Sequence, residues 1–352
     1  MAKRISLLVA LFGLMVTSLA AAGPPGYAWQ LTPTGSTGSR FRGVSAVSER
    51  VAWVSGWEGT EGRVFRTTDQ GATWQSVAPP GSTGLQFRDV EAFDADTALI
   101  MSIGNTPDAF RIYRTDNGGQ TWTLVFQNTE PTAFYDCMAF FDRHRGLAVS
   151  DPINGRFRII ATNDGGRSWH IVNADMPPAL PLEAGFAASG QCLTTAGGRD
   201  AWFGTGGDAV ARVFHSSDRG LSWTVHNTPI RSSPTGAGIS ALAFRDPLHG
   251  IAAGGEFGSP AASPAALARS DDRGNTWALV PNAPNQLREG ADWITGRVAV
   301  IVGPTGSEVS FDQGRTWQPL QGGSAFHTVD CARGHVCWAA GEQGAAAYLT
   351  RE

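Results

Sequence analysis

The chain has 352 residues, 42% of them hydrophobic, and its 27 Lys and Arg against 31 Asp and Glu give a formal net charge of −4. That acidic balance excludes bulk binding to nucleic acid, which needs a cationic surface. Gly 44 and Pro 20 punctuate short runs rich in Val, Ile, Phe and Trp, and no stretch past residue 23 sustains a helical apolar period, so an all-β chain is expected.

At the N-terminus, Lys3 and Arg4 precede an apolar run over residues 5–16, and Ala20-Ala21-Ala22 forms a small-residue cleavage pattern before Gly23-Pro24-Pro25. Residues 1–22 therefore read as a signal peptide, because the run is shorter than the roughly 20 residues a membrane span requires. An uncleaved anchor is the alternative. Cleavage removes Lys3 and Arg4 and leaves 25 basic against 31 acidic side chains, a net charge of −6. No Cys follows the cleavage region, which argues against a lipid anchor. The mature chain is expected in the periplasm or secreted, as a monomer with no membrane span.

Beyond the leader the chain repeats. Thr67-Thr68-Asp69-Gln70-Gly71-Ala72-Thr73-Trp74 recurs at 115–122, 162–169, 216–223, 270–277 and 310–317, with Trp-to-Trp steps of 48, 47, 54, 54 and 40 residues. Trp29 lies 45 residues before Trp74 without the turn. Between copies the pattern is an apolar strand, a turn, a second strand ending in small residues, a loop, and a third strand leading into the turn. The second strands include Val51-Ala52-Trp53-Val54-Ser55-Gly56, Gly250-Ile251-Ala252-Ala253-Gly254 and Cys337-Trp338-Ala339-Ala340-Gly341. Four strands per repeat is the unit of a propeller blade, and about 47 residues per blade gives seven blades. The chain after Trp317 supplies only three strands for the last blade, so the strand around Trp29 is expected to supply the fourth and close the ring. Residues 27–350 then form a single domain.

Within each turn, a Gly allows φ > 0, and Asp69, Asn117, Asp164, Asp218, Asp272 or Asp312 can accept backbone N–H groups that the turn leaves unpaired. These side chains read as structural. Cys331 and Cys337 flank a short loop between adjacent strands, a spacing that suits a disulfide in an oxidising compartment. Cys137 and Cys192 fall on first strands of successive blades, and their spacing leaves open whether they pair. A zinc site using His327 and His335 is the rival for the C-terminal pair, but no Cys-x-x-Cys spacing supports a metal.

Repeated Thr-x-Asp-x-Gly-x-Thr-Trp boxes with Ala-Val-Ser or Ala-Ala-Gly strands upstream resemble the BNR/Asp-box propellers, especially the branch related to photosystem II stability and assembly factors. More distantly they resemble the sialidases. The resemblance covers residues 27 to 350 and implies a seven-bladed β-propeller of four-stranded blades. It also implies a non-catalytic binding or assembly scaffold with an unidentified protein or small-molecule partner.

Candidate binding residues lie away from the box, where the first strands begin: Phe41-Arg42-Gly43-Val44, Phe87-Arg88-Asp89-Val90, Phe134-Tyr135-Asp136-Cys137, Leu287-Arg288-Glu289-Gly290 and Phe326-His327-Thr328-Val329. Aligned this way, Arg42, Arg88, Tyr135, Arg288 and His327 share one column, followed in three repeats by Asp89, Asp136 or Glu289. First strands line a propeller's channel, so the column would converge on one mouth. Ion pairs closing the ring are the structural alternative. An insertion over residues 177–192 can cover that mouth and offers Glu183 and Ser189. A second insertion, 256–266, reads as a solvated loop.

A sialidase-like glycosidase is the alternative function, with Arg42, Arg88 and Arg288 as clamp and Tyr135, Asp136 or Glu183 as reacting groups. The N-terminal Arg-Ile-Pro element of sialidases is missing. No cofactor is expected. Gly204-Thr205-Gly206-Gly207-Asp208-Ala209 matches a dinucleotide fingerprint only formally, since a strand follows it, and the boxes lack the closing Glu of a calcium loop.

Overall fold

A computed structural model describes residues 26–323, 325–332 and 336–351. The expected signal peptide and His335 lie outside the described residues. Seven four-stranded antiparallel sheets form a β-propeller. Its inner strands are Arg40–Ala46, Gln86–Ala92, Tyr135–Phe140, Leu193–Ala196, Ala237–Phe244, Gly290–Trp293 and Phe326–Ala332, which head blades 1 to 7. Each contacts the next, and the seventh contacts the first. In blade 7 the outer strand is Ala28–Leu31, paired with Ala346–Thr350 so that Trp29 stands opposite Leu349.

The second strands are buried along their length, as in Ala98–Ile103 and Ala299–Gly303. A blade packs against neighbours on both faces, so these strands carry continuous apolar runs where a half-buried strand would alternate.

The six turns repeat one hydrogen-bond pattern. In the first, Thr67 Oγ1 accepts from Gly71 N at 2.9 Å and donates to Asp69 Oδ1 at 2.9 Å. Asp69 in turn accepts from Thr73 N at 2.9 Å and from Thr73 Oγ1 at 2.6 Å. Gly71 has φ 77°, a conformation that excludes most side chains. Asn117 keeps the pattern by accepting from Thr121 N at 2.9 Å while its amide donates to Thr121 Oγ1 at 2.8 Å. These bonds lower the carboxyl pKa of Asp69, chiefly through Thr73. They also hold Asp164 down to about 2, against the opposing effect of partial burial.

Each turn packs on the preceding blade, and in the first two the closing tryptophan reaches across to it. Trp74 packs edge-on against Trp338 at 5.8 Å and Trp122 against Trp53 at 6.2 Å. Their indole N–H groups donate to Thr32 O and Val77 O, on the preceding blade's outer edge. Each turn therefore fastens one blade to the one before it.

Two disulfides join Cys331 to Cys337 and Cys137 to Cys192. The first links directly opposed residues within blade 7. The second ties the inner strand of blade 3 to the end of the 177–192 insertion.

Candidate binding site at the channel mouth

Five inner strands carry a β-bulge at the same point, with register shifts between Phe41 and Gly43, Phe87 and Asp89, Tyr135 and Cys137, Ile239 and Ala241, and Phe326 and Thr328. The extra residue in each, Arg42, Arg88, Asp136, Ser240 or His327, is re-aimed out of the ladder. In blade 6 a Cβ on Gly303 would press on Arg288 Cα at 3.2 Å, as one on Gly56 would press on Phe41 Cα at 2.8 Å. Arg288 thus matches the Phe41 position, and Glu289 matches the bulge.

This register corrects the sequence alignment by one residue in blades 3 and 6. Tyr135 is buried between blades with its ring edge-on to Phe126, and burial raises its hydroxyl pKa. Arg288 is 1% exposed and doubly bonded to Glu308, with Nε to Oε2 at 2.6 Å. Neither reaches the mouth.

Glu289 and His327 do reach it, inside a closed network. Arg42 Nη1 lies 3.2 Å from Glu289 Oε1, Glu289 Oε2 bonds His327 Nδ1, and His327 Nε2 meets Glu342 Oε1 at 2.9 Å. Arg88 differs from Arg42: its guanidinium stacks on Trp57 at 4.4 Å and hydrogen-bonds Gln86 Oε1 and Ala187 O, with no carboxylate among its bonded partners in the described residues. Burial and the nearby Arg42 lower its pKa to about 10, with Glu289 opposing, so it stays cationic at neutral pH.

The insertion closes the channel beneath these side chains. Glu183 anchors it: Arg212 Nε donates to Glu183 Oε1 at 2.8 Å, Arg212 Nη2 to Oε2, and Thr205 Oγ1 to Oε1 at 2.6 Å. Glu183 is therefore ion-paired with Arg212 and positions the insertion, where the sequence offered it as a candidate reacting group. Further along, Gln191 crosses the channel to donate to Ala291 O at 3.0 Å and Val329 O at 2.7 Å. Ser189 is buried, and its carbonyl accepts from Thr328 Oγ1 at 2.9 Å.

Between insertion and wall lies a cavity of about 370 Å³, lined by Arg42, Arg88, Asp136, Asp151, Phe186 and Phe257 among others. Phe186 and Phe257 sit with ring centroids 5.3 Å apart. Asp136 is 1% exposed and neither carboxylate oxygen makes a hydrogen bond of ordinary geometry, although the Ala187 amide acts on it. Asp151 Oδ1 accepts from Gly185 N at 2.8 Å. Burial raises both carboxyl pKa values, Asp151 to about 6, and Asp136 further because Asp151 lies beside it.

Asp89 points into the channel instead of the mouth, and its Oδ2 accepts from Met138 N at 2.7 Å. Deeper along the channel, Ser45 Oγ accepts from Ala92 N, Asp292 Oδ2 from Cys331 N and Asp330 Oδ2 from Ala46 N, each on the next blade. These residues, with Glu91, border a polar cavity of about 590 Å³ on the far side of Gln191. The belt gives backbone N–H groups at the inner edge their partners, a structural use of buried acids.

Sequence reasoning missed Asp151, Trp57, Phe186, Phe257 and the channel pair Asp292 and Asp330. Only Asp151 had a local signal: Pro152 follows it, and the strand register shifts between Ser150 and Pro152. Residues 205–209 join strand Asp200–Gly204 to strand Arg212–Ser216, so the glycine-rich stretch opens no helix.

No family model and no curated protein matches the chain in sequence. Solved structures do match in shape. YCF48 bound to D1 peptide is 14% identical, with TM-score 0.64, over 92% of this chain and 97% of that one. YCF48 from Cyanidioschyzon merolae is 15% identical, with TM-score 0.66, over 92% and 99%. The GH74 xyloglucanase from Xanthomonas campestris is 15% identical, with TM-score 0.62, over 91% of this chain and 53% of that one. At these identities the likeness establishes the propeller fold alone.

Proposed function

We propose that this chain is a non-catalytic, exported propeller of the BNR/Asp-box type that binds a peptide or protein partner at the Arg42 and Arg88 mouth, as an assembly scaffold does. In this reading residues 1–22 are a cleaved leader, residues 27–350 are the working domain, and the protein acts as a monomer. Two disulfides suit an oxidising compartment.

One observation carries the binding role. Arg88 is a cation held on the Trp57 ring, beside a cavity, without an ion-pair partner among the described residues. A guanidinium so placed is preorganised for a carboxylate, because the ordering cost is met by the stacking. The likeness to YCF48 bound to D1 peptide supports a peptide as the class of ligand. Partner capture tests it: the mature protein should retain a partner from an envelope extract, and Arg88→Ala should lose it. Equal retention by both proteins would overturn the assignment to this mouth.

The glycosidase alternative loses Tyr135 and Arg288, which face away from the mouth, and Glu183, which is ion-paired with Arg212. It keeps the Asp136 and Asp151 pair, so a panel of fluorogenic glycosides, sialosides included, is its test. Turnover abolished by Asp151→Asn would move the chain into that class.

A further inference from the structure

Among the described residues the carboxylates that are almost wholly buried have answering groups, with one exception. Glu183 faces Arg212, Asp200 faces His215, Glu289 faces Arg42, Glu308 faces Arg288, and Asp89 holds a backbone N–H. Asp136 has no counter-charge and no hydrogen bond of ordinary geometry, only the Ala187 amide beside it, and its neighbour Asp151 has a single bond to Gly185 N. Both border the same cavity, which Phe134, Phe186 and Phe257 wall with aromatic rings.

A buried carboxylate pair without a counter-charge is costly, and the cost disappears when a cation is supplied. Arg42 lines the cavity but is paired with Glu289 and Glu342, and Arg88, held on Trp57 and bonded to Gln86 and Ala187 O, makes no ion pair with Asp136 or Asp151. Residues 184–191 of the insertion bring no charged side chain. We propose that Asp136 and Asp151 form a subsite for a lysine ammonium of the bound peptide, admitted past Phe186 and Phe257. This rests on the reading of the mouth as a peptide site and adds a second specificity to it: an acidic group at Arg88 and a basic one at the carboxylate pair.

The ring faces of Phe186 and Phe257 favour such a cation during its passage. Burial raises both carboxyls, Asp136 further because Asp151 lies beside it, and Asp151, near 6, is ionised at neutral pH. The ammonium should therefore bind well at pH 7.5 and progressively less below pH 6.

Calorimetry and saturation-transfer NMR on the purified chain, with hexanoate, hexylamine, 6-aminohexanoate and 1-hexanol as probes, test this. Hexylamine should bind more tightly than 1-hexanol, by about tenfold for one charge-assisted contact, and 6-aminohexanoate should exceed both monofunctional ions. Asp151→Asn, or Asp136→Asn if the first variant fails to fold, should bring hexylamine to the level of 1-hexanol and leave hexanoate unchanged. Arg88→Ala should do the reverse. Hexylamine equal to 1-hexanol, or hexylamine unaffected by both Asn variants, would overturn the subsite. Hexylamine matching 6-aminohexanoate would overturn its coupling to an acidic group at Arg88. Hexanoate indifferent to Arg88→Ala, with the amine result intact, would sink the Arg88 reading alone.

Discussion

Arg88 and Asp136 occupy the same bulge position in successive inner strands, yet one is a cation without an ion pair and the other a buried acid whose carboxyl pKa burial raises. What separates them is the company each keeps: Trp57 and a solvent-facing cavity for Arg88, and the backbone of Gly185 to Ala187 for Asp136. A Cβ on Gly185 would lie 2.6 Å from Asp136 Oδ2, so Gly185→Ala should displace the insertion from the carboxylate and lower stability. A reduced thermal midpoint is the expected readout. Glu183→Gln should cost more, about 3–5 kcal/mol in denaturant unfolding, because it leaves buried Arg212 without its charge partner. The pH dependence has two parts of opposite sign. Asp164 and the other turn aspartates have depressed folded-state pKa values, so their contribution is present above about pH 4 and is lost as pH falls through the folded value. Asp151 is raised, so the folded state binds its proton more tightly than the unfolded chain does. Its stabilising effect is full below about pH 4 and fades as pH rises through about 6. Asp151→Asn should flatten the stability curve between those limits in pH-dependent urea titrations.

At the scale of the element, the bulges explain what was readable and what was not. The turn motif could be read directly, since Ser/Thr, Asp, Gly and Trp each meet a local demand of the hairpin, and its period carried the blade count. A bulge leaves no such residue signature: Phe41-Arg42 and Tyr135-Asp136 look alike only once the extra residue is known. That is why Tyr135 was aligned with arginines it does not accompany. The insertion over 177–192 was legible as a break in period, but its route under the mouth depends on Glu183, Gln191 and Cys192 finding partners in other blades. Its tether to blade 3 closes a loop spanning 55 residues. Paired replacement of Cys137 and Cys192 by alanine should cost about 4 kcal/mol on the chain-entropy account, measured by denaturant unfolding of the oxidised parent against the variant. The insertion should then also become more open to limited proteolysis.

Over the whole molecule, blades meet through tryptophans and through acids that hold the next blade's amides, so the ring is a cycle of nearest-neighbour contacts. Blade 7 breaks the repetition because both chain ends build it. Deleting residues 26–34 would strip the outer strand from Ala346–Thr350 and present an open edge. Self-association on size-exclusion chromatography, absent from the intact chain, is the expected result. The same blade also sets a schedule. Ala28–Leu31 leaves the ribosome before every other described strand, and the strand it pairs with, Ala346–Thr350, leaves after them all. The ring thus cannot lock until Ala346–Thr350 is released, and before that the nascent protein is an unlatched string of blades.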